Sequence, residues 1–192
     1  ALLLHGLTDS PYSMRPVAER LHAAGYYTLS LRLQGHGTVA GGLVNVAWED
    51  WAAAVRMGAR HVRRQLRDGQ PLVIVGYSNG GALAVHYALE ALADARVPAP
   101  STLVLMSPMI GVSPLARIAG AISLLGPFPF FEKARWLDVV PEYNPFKYNS
   151  FPANAGLQTA RFTAAIQQQL SRAEEEGTLA RFTRVLAFQS VE

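Results

Sequence analysis

The most constraining stretch of the chain is a continuous apolar run, Leu72-Val73-Ile74-Val75. It passes without a spacer into Gly76-Tyr77-Ser78-Asn79-Gly80-Gly81, and Asn79 to Ala93 is then almost wholly apolar, interrupted by His86 and Glu90. An apolar β-branched run with no polar alternation suits a strand covered on both faces, as in a parallel sheet. The segment after it reads as a buried helix. Strand, tight turn and helix therefore meet at one serine, in a G-x-S-x-G pattern. A serine hydroxyl is a weak nucleophile and acts when it stands exposed at a sharp turn within reach of a base. Such a turn crowds the backbone and asks for Gly76 and Gly80, two residues to either side. The helix opening at Asn79 aims free N–H groups and the positive end of its dipole at the same point. The bland alternative is a Gly-rich turn whose serine caps a helix.

The rest of the first half alternates in the same way. Ala1 to His5 reads as a buried strand and Gly6 ends it. A helix is expected from about Ser13, capped by that serine, with Pro16 in its first turn and Gly25 stopping it. Tyr26 to Arg32 reads as the second strand, followed by a Gly-rich loop through Gln34-Gly35-His36-Gly37 and Gly41-Gly42. Trp48, Trp51, Val55, Ala59, Val62 and Leu66 recur at helical spacing and predict a helix over about 48–67. Its other face carries Arg56, Arg60, Arg63, Arg64 and Arg67, which reads as a solvated face rather than an anion-binding one. Ser101 to Met106 is the next strand. Strands alternating with helices argue for an α/β fold with a parallel sheet.

The pattern breaks after Ser107. No clear strand is expected from Ser107 to Thr183, and a helix is expected over about 156–175. So long a stretch is not a plain loop in a compact domain, and 108–183 reads as an inserted, mainly helical lid. Residues 1–107 form the core before it, and 184–192, beginning at Arg184-Val185-Leu186-Ala187-Phe188, return to the sheet. The chain opens inside one strand and closes inside another, so a piece of a longer protein is expected. No secretory leader precedes it, which has no force in a chain that opens this way.

Composition narrows the chemistry. At 192 residues, 50% apolar and 16% charged, the chain suits one folded domain rather than a disordered one. Zero cysteines exclude a disulfide scaffold, a Cys-ligated zinc and a thiol nucleophile. A net charge of +3 gives no case for nucleic acid. No run is long enough to span a membrane: Ile118 to Phe131 is too short and holds Pro127 and Pro129. That stretch has two readings, a lid surface that touches lipid or lines an acyl pocket, and ordinary packing of lid on core. No metal constellation and no nucleotide-binding Gly loop is present, so no cofactor is expected.

A second feature sits at the first strand's end, His5-Gly6-Leu7. In a parallel sheet that end shares an edge with Ser78. Acyl transfer needs two N–H donors for the developing oxyanion; Asn79 N–H is one candidate and Leu7 N–H, after the turn at Gly6, is the other. His5 reads as a hydrogen-bonded brace of the turn. Of the remaining histidines, His86 alone follows Ser78, roughly 12 Å up the same helix and out of reach. His22 and His61 read as surface residues. His36 lies on the right edge of the sheet, either as a loop brace or as a stand-in base.

Together these residues resemble the α/β-hydrolase superfamily, and within it the lysophospholipase, monoacylglycerol-lipase-like and serine-aminopeptidase-like branch. Leu2-Leu3-Leu4-His5-Gly6-Leu7-Thr8-Asp9-Ser10-Pro11 resembles its oxyanion strand and turn, Gly35-His36-Gly37 with Trp48-Glu49-Asp50-Trp51 the loop and helix after the next strand, and Gly76 to Gly81 the nucleophile elbow. Arg184 to Glu192 resembles the strand leading to the catalytic acid. The resemblance implies an α/β-hydrolase fold with a lid, and Ser78 as nucleophile of a serine hydrolase acting on a small ester or lipid of apolar acyl type. It also implies an acid and then a histidine after Ser78, at or beyond Glu192, so this stretch alone is expected to be inactive. A peptidase of the same fold and a non-catalytic binding protein remain open alternatives.

Overall fold

The computed structural model describes residues 1–111 and 135–190. Its centre is a five-stranded, fully parallel sheet. In chain order its strands are β1 (Leu2–Leu4), β2 (Leu29–Leu31), β3 (Val73–Tyr77) and β4 (Thr102–Met106), with Arg184–Phe188 last. Two short strands precede that last one, β5 (Trp136–Asp138) and β6 (Phe151–Pro152), so Arg184–Phe188 is β7. The spatial order is β2-β1-β3-β4-β7. The helices are α1 (Arg15–Ala23), α2 (Trp48–Gln65), α3 (Asn79–Ala93) and α4 (Ala153–Glu175).

Strand alternation assigns the two faces. Leu2, Leu4, Ile74, Leu103 and Leu105 pack with α2, α3 and α4 in the main core, around Trp51, Tyr87, Phe162 and Ile166. Leu3, Val75 and Met14 pack on the opposite face, with Val17 and Leu21 of α1. A central strand with side chains buried on both faces must be apolar throughout, which is what the run 72–75 showed. β1 and β3 run in register, Leu4 beside Gly76, and Tyr77 lies beside Met106. The strand ends bearing Gly6–Leu7 and Ser78 therefore emerge side by side.

Several boundaries differ from expectation. Ser13 does not cap α1. Pro11–Met14 forms a 3₁₀ turn first, Met14 is the N-cap residue, and the Ser13 hydroxyl donates to Ser10 O at 3.0 Å. Pro16 does sit at the start of α1, and Gly25 has φ +88°, which suits a glycine past a helix end. β2 is confined to Leu29–Leu31 because β1, its neighbour, is equally short. α2 ends at Gln65, where Arg63 donates to the carbonyls of Arg67 and Gln70. The arginine face is not wholly solvated either, since Arg56 pairs with Glu90 of α3 at 2.7 Å. β5 and β6 pair antiparallel inside the stretch expected to hold no strand. The pair is short and contains a proline, so no period-2 signal precedes it in the sequence.

α4 begins at Ala153 and is anchored to the core. Phe162 and Ile166 are fully buried. The Asn154 amide donates to Leu43 O and Val46 O, and Trp48 N–H donates to Gln158 Oε1. The Ile118–Phe131 stretch and Glu192 lie outside the described residues. Among the described residues, no helix is long and apolar enough to cross a membrane.

Candidate functional site

Ser78 lies between β3 and α3 with φ +51° and ψ −113°. A residue with a Cβ is strained there, and strain of this kind collects at functional turns. The surroundings enforce it. Ser78 N–H donates to Met106 O at 3.0 Å, while Ser78 O accepts from Gly81 and Met109 N–H, both at 3.0 Å. A Cβ on Gly76 would stand 2.4 Å from Gly80 O, and one on Gly80 would stand 2.2 Å from Leu4 O. Both glycines are therefore required by backbone contact, and the second holds the start of α3 against the end of β1.

Ser78 opens into a cavity of about 380 Å³ that Leu7, Tyr77, Met109, Leu137 and Phe151 line with apolar surface. Leu7 and Ser78 thus share one cavity. Among the described residues, neither Leu7 N–H nor Asn79 N–H donates to another backbone group. The Asn79 side chain is fully buried and both of its polar atoms lack a partner among the described residues.

The cavity also holds two ionisable groups that no motif singles out, Asp9 and Lys147. Burial pushes the Asp9 carboxyl above its usual range, and the charges of Lys147 and His36 partly offset this. Asp9 immediately follows the turn at Gly6 and could have been singled out as an acid beside a reactive centre. Lys147 comes from the segment between β5 and β6, and no local pattern points to it.

No histidine lines this cavity among the described residues. His5 is buried; its Nε2 accepts from Leu33 N–H at 3.3 Å and its Nδ1 lies 2.9 Å from Gly6 O. Burial depresses its pKa to about 4, so it is a neutral brace at pH 7. His36 is also buried, with Nε2 2.7 Å from Leu7 O and Nδ1 2.9 Å from Gln34 O. Burial lowers its pKa despite those carbonyls. With both nitrogens facing carbonyls, His36 braces the loop and is not placed as a stand-in base. His86 packs against Trp48 and Phe162, buried and with its pKa lowered by burial. His22 and His61 are exposed. Among the described residues no group of acids and histidines could hold a metal.

A parallel sheet flanked by helices, with a strained serine between a central strand and a buried helix, defines an α/β-hydrolase. A family model described as "Serine aminopeptidase, S33" matches residues 1–174. A thermostable monoacylglycerol lipase of Bacillus sp. (strain H-257) is 30% identical over 177 residues, which cover 89% of this chain and 64% of that protein. The chain thus spans about two thirds of that relative's length. A solved structure from work on LipS and LipT, two metagenome-derived lipolytic enzymes, superposes with a TM-score of 0.72 at 20% identity, covering 98% of this chain and 82% of the other. The monoacylglycerol lipase of Paleococcus ferrophilus gives 0.63 at 14% identity, covering 98% and 83%. The chain belongs to the serine aminopeptidase (S33) family, on the lysophospholipase and monoacylglycerol-lipase-like branch of the α/β-hydrolases.

Proposed function

We propose that the protein carrying this chain is a serine hydrolase that cleaves carboxylic esters of apolar acyl groups, of the monoacylglycerol, lysophospholipid or simple carboxylester type. Ser78 is the nucleophile. The histidine expected beyond Glu192 takes the hydroxyl proton as Ser78 attacks the ester carbonyl and returns it to the departing alkoxide, and the tetrahedral oxyanion between is held by the N–H groups of Leu7 and Asn79. Collapse of that intermediate expels the alcohol and leaves an acyl-enzyme, which water then hydrolyses. The observation that carries the reading is the backbone of Ser78, held at φ +51° on the rim of an apolar-walled cavity beside a free helix N-terminus. The ester preference leans on that apolar lining and on the monoacylglycerol lipase relative. Residues 108–183, in this reading, are the lid that completes the acyl pocket.

The test is capture of a fluorophosphonate by the protein expressed from its full reading frame, with the adduct mapped by mass spectrometry. A phosphonylated Ser78, lost in Ser78→Ala, supports the reading. A folded protein left unmodified at Ser78 removes it.

A non-catalytic binding protein of the same fold is the second reading. The reading frame beyond Glu192 decides between them. An Asp or Glu followed by a loop His after a further strand supports the enzyme.

A further inference from the structure

The Gly6–Asp9 turn belongs to no regular element, yet an oxyanion donor has to be placed to within a few tenths of an ångström. The turn's own hydrogen bond is long, Asp9 N–H to Gly6 O at 3.3 Å. His5 Nδ1, 2.9 Å from Gly6 O, braces its start, and two further contacts reach it from distant loops. His36 Nε2 stands 2.7 Å from Leu7 O, closer than its Nδ1 to Gln34 O at 2.9 Å, which places the N–H of the neutral ring on Leu7 O, and Thr8 O accepts from Tyr148 N–H at 2.7 Å. The Tyr148 hydroxyl in turn donates to Gly35 O and accepts from Thr38 N–H, both at 3.0 Å, and so spans the loop that carries His36. The two rings lie nearly parallel, 6.3 Å apart at 16°, and both residues are buried. Two successive carbonyls of the turn are thus held, one by each ring-bearing residue. Peptide units are rigid planes, so pinning the carbonyls of Leu7 and Thr8 limits how the preceding Gly6–Leu7 unit, the one bearing Leu7 N–H, can rotate. Gly6 has no side chain to limit its own rotation, so this unit relies on contacts at its carbonyl, where His5 Nδ1 stands 2.9 Å from Gly6 O, and on those that hold the two carbonyls after it.

We propose that His36 and Tyr148 are positioning residues for the Leu7 N–H, so that oxyanion stabilisation depends on the segment between β5 and β6 docking onto the loop after β2. The inference rests on the serine-hydrolase reading above. A neutral imidazole has one N–H to give, and the shorter of its two carbonyl contacts is the one on the turn. The sequence separates these partners widely, so local sequence could not have shown the clamp.

The experiment compares His36→Leu, His36→Gln, His36→Asn and Tyr148→Phe in the protein from the full reading frame. It measures kcat and KM on p-nitrophenyl butyrate, the fluorophosphonate capture rate, and hydrogen exchange of the peptide containing residues 6–9. Gln can bring an amide N–H to where Nε2 stands. Asn has the same polarity but reaches only the Nδ1 position, on the side of Gln34 O.

His36→Leu and His36→Asn are expected to lower kcat and capture about 10- to 100-fold, with KM within about threefold and faster exchange over residues 6–9. His36→Gln recovers most of the loss. Tyr148→Phe, which keeps the N–H to Thr8 O, loses less than His36→Leu. Variants that capture the probe as fast as wild type, or a Gln variant no better than Asn, overturn the positioning role. If His36→Leu does not fold, the Gln–Asn comparison still decides. A wild-type protein that captures nothing at Ser78 removes the hydrolase reading, and the positioning role falls with it. A reactive wild type with equally reactive variants removes the positioning role alone.

Discussion

The strain at Ser78 makes a prediction that runs against ordinary intuition about glycine. At φ +51° and ψ −113° a residue with a Cβ costs about 1–3 kcal/mol in the folded state. Glycine relieves that strain but loses about 0.5–1 kcal/mol more backbone entropy on folding than alanine. The balance leaves Ser78→Gly about 0–2.5 kcal/mol more stable than Ser78→Ala, although both lack the hydroxyl. The comparison with alanine, rather than with wild type, cancels the loss of the hydroxyl's own contacts. Urea unfolding with a common m-value measures the difference, and thermal unfolding should move in the same direction by about 2–4 °C per kcal/mol. A glycine variant less stable than the alanine variant, at unchanged m, refutes the claim that this turn stores strain. Neither variant should capture a fluorophosphonate.

Gly80→Ala places a methyl 2.2 Å from Leu4 O, a backbone atom that cannot swing aside, so it should cost more than the usual overpacking range of about 1–3 kcal/mol. Gly41→Ala, whose Cβ meets nothing within 4 Å, should change unfolding free energy by less than about 0.5 kcal/mol. Phe162→Ala should cost about 3–5 kcal/mol in urea unfolding, because Phe162 is fully buried and stacked 5.3 Å from Trp48; a surface-like loss below about 1 kcal/mol would separate α4 from the core. Acid should destabilise the fold through His5, whose pKa falls from 6.5 to about 4 on folding. Between those values the unfolded chain binds a proton that the folded one does not, so stability drops as pH falls from about 6.5 to 4, by up to about 3 kcal/mol. Asp9, with its pKa raised, acts in the opposite sense just above pH 3.8. His5→Gln should flatten the slope in the upper part of that window, and an unchanged slope would contradict the assignment.

The candidate site was legible wherever the signal was local. Gly76, Ser78 and Gly80 declare a strand-to-helix turn within a few residues, and the turn they form has a positive φ at the serine and two backbone contacts that exclude side chains. The unalternated run before it announced burial on both faces, and Ile74 and Val75 do pack into opposite cores. His5 as a brace was readable from its place beside Gly6. The sequence was poorer where contacts are distant. Lys147 and Tyr148 sit in a Pro- and aromatic-rich stretch with no periodicity, and nothing near them indicates that they reach the turn after β1. The antiparallel pair β5–β6 was missed because its strands are too short to carry a pattern.

Local sterics and periodicity decided the parallel sheet, the buried helix α3 and the strained serine, because each is set by residues a few positions apart. Tertiary structure alone decided which groups face that serine. Asp9 and Lys147 share its cavity, and His36 and Tyr148 hold the neighbouring turn by successive carbonyls. These residues lie on different loops, and only the closing of the sheet and the docking of the β5–β6 segment bring them together around the serine.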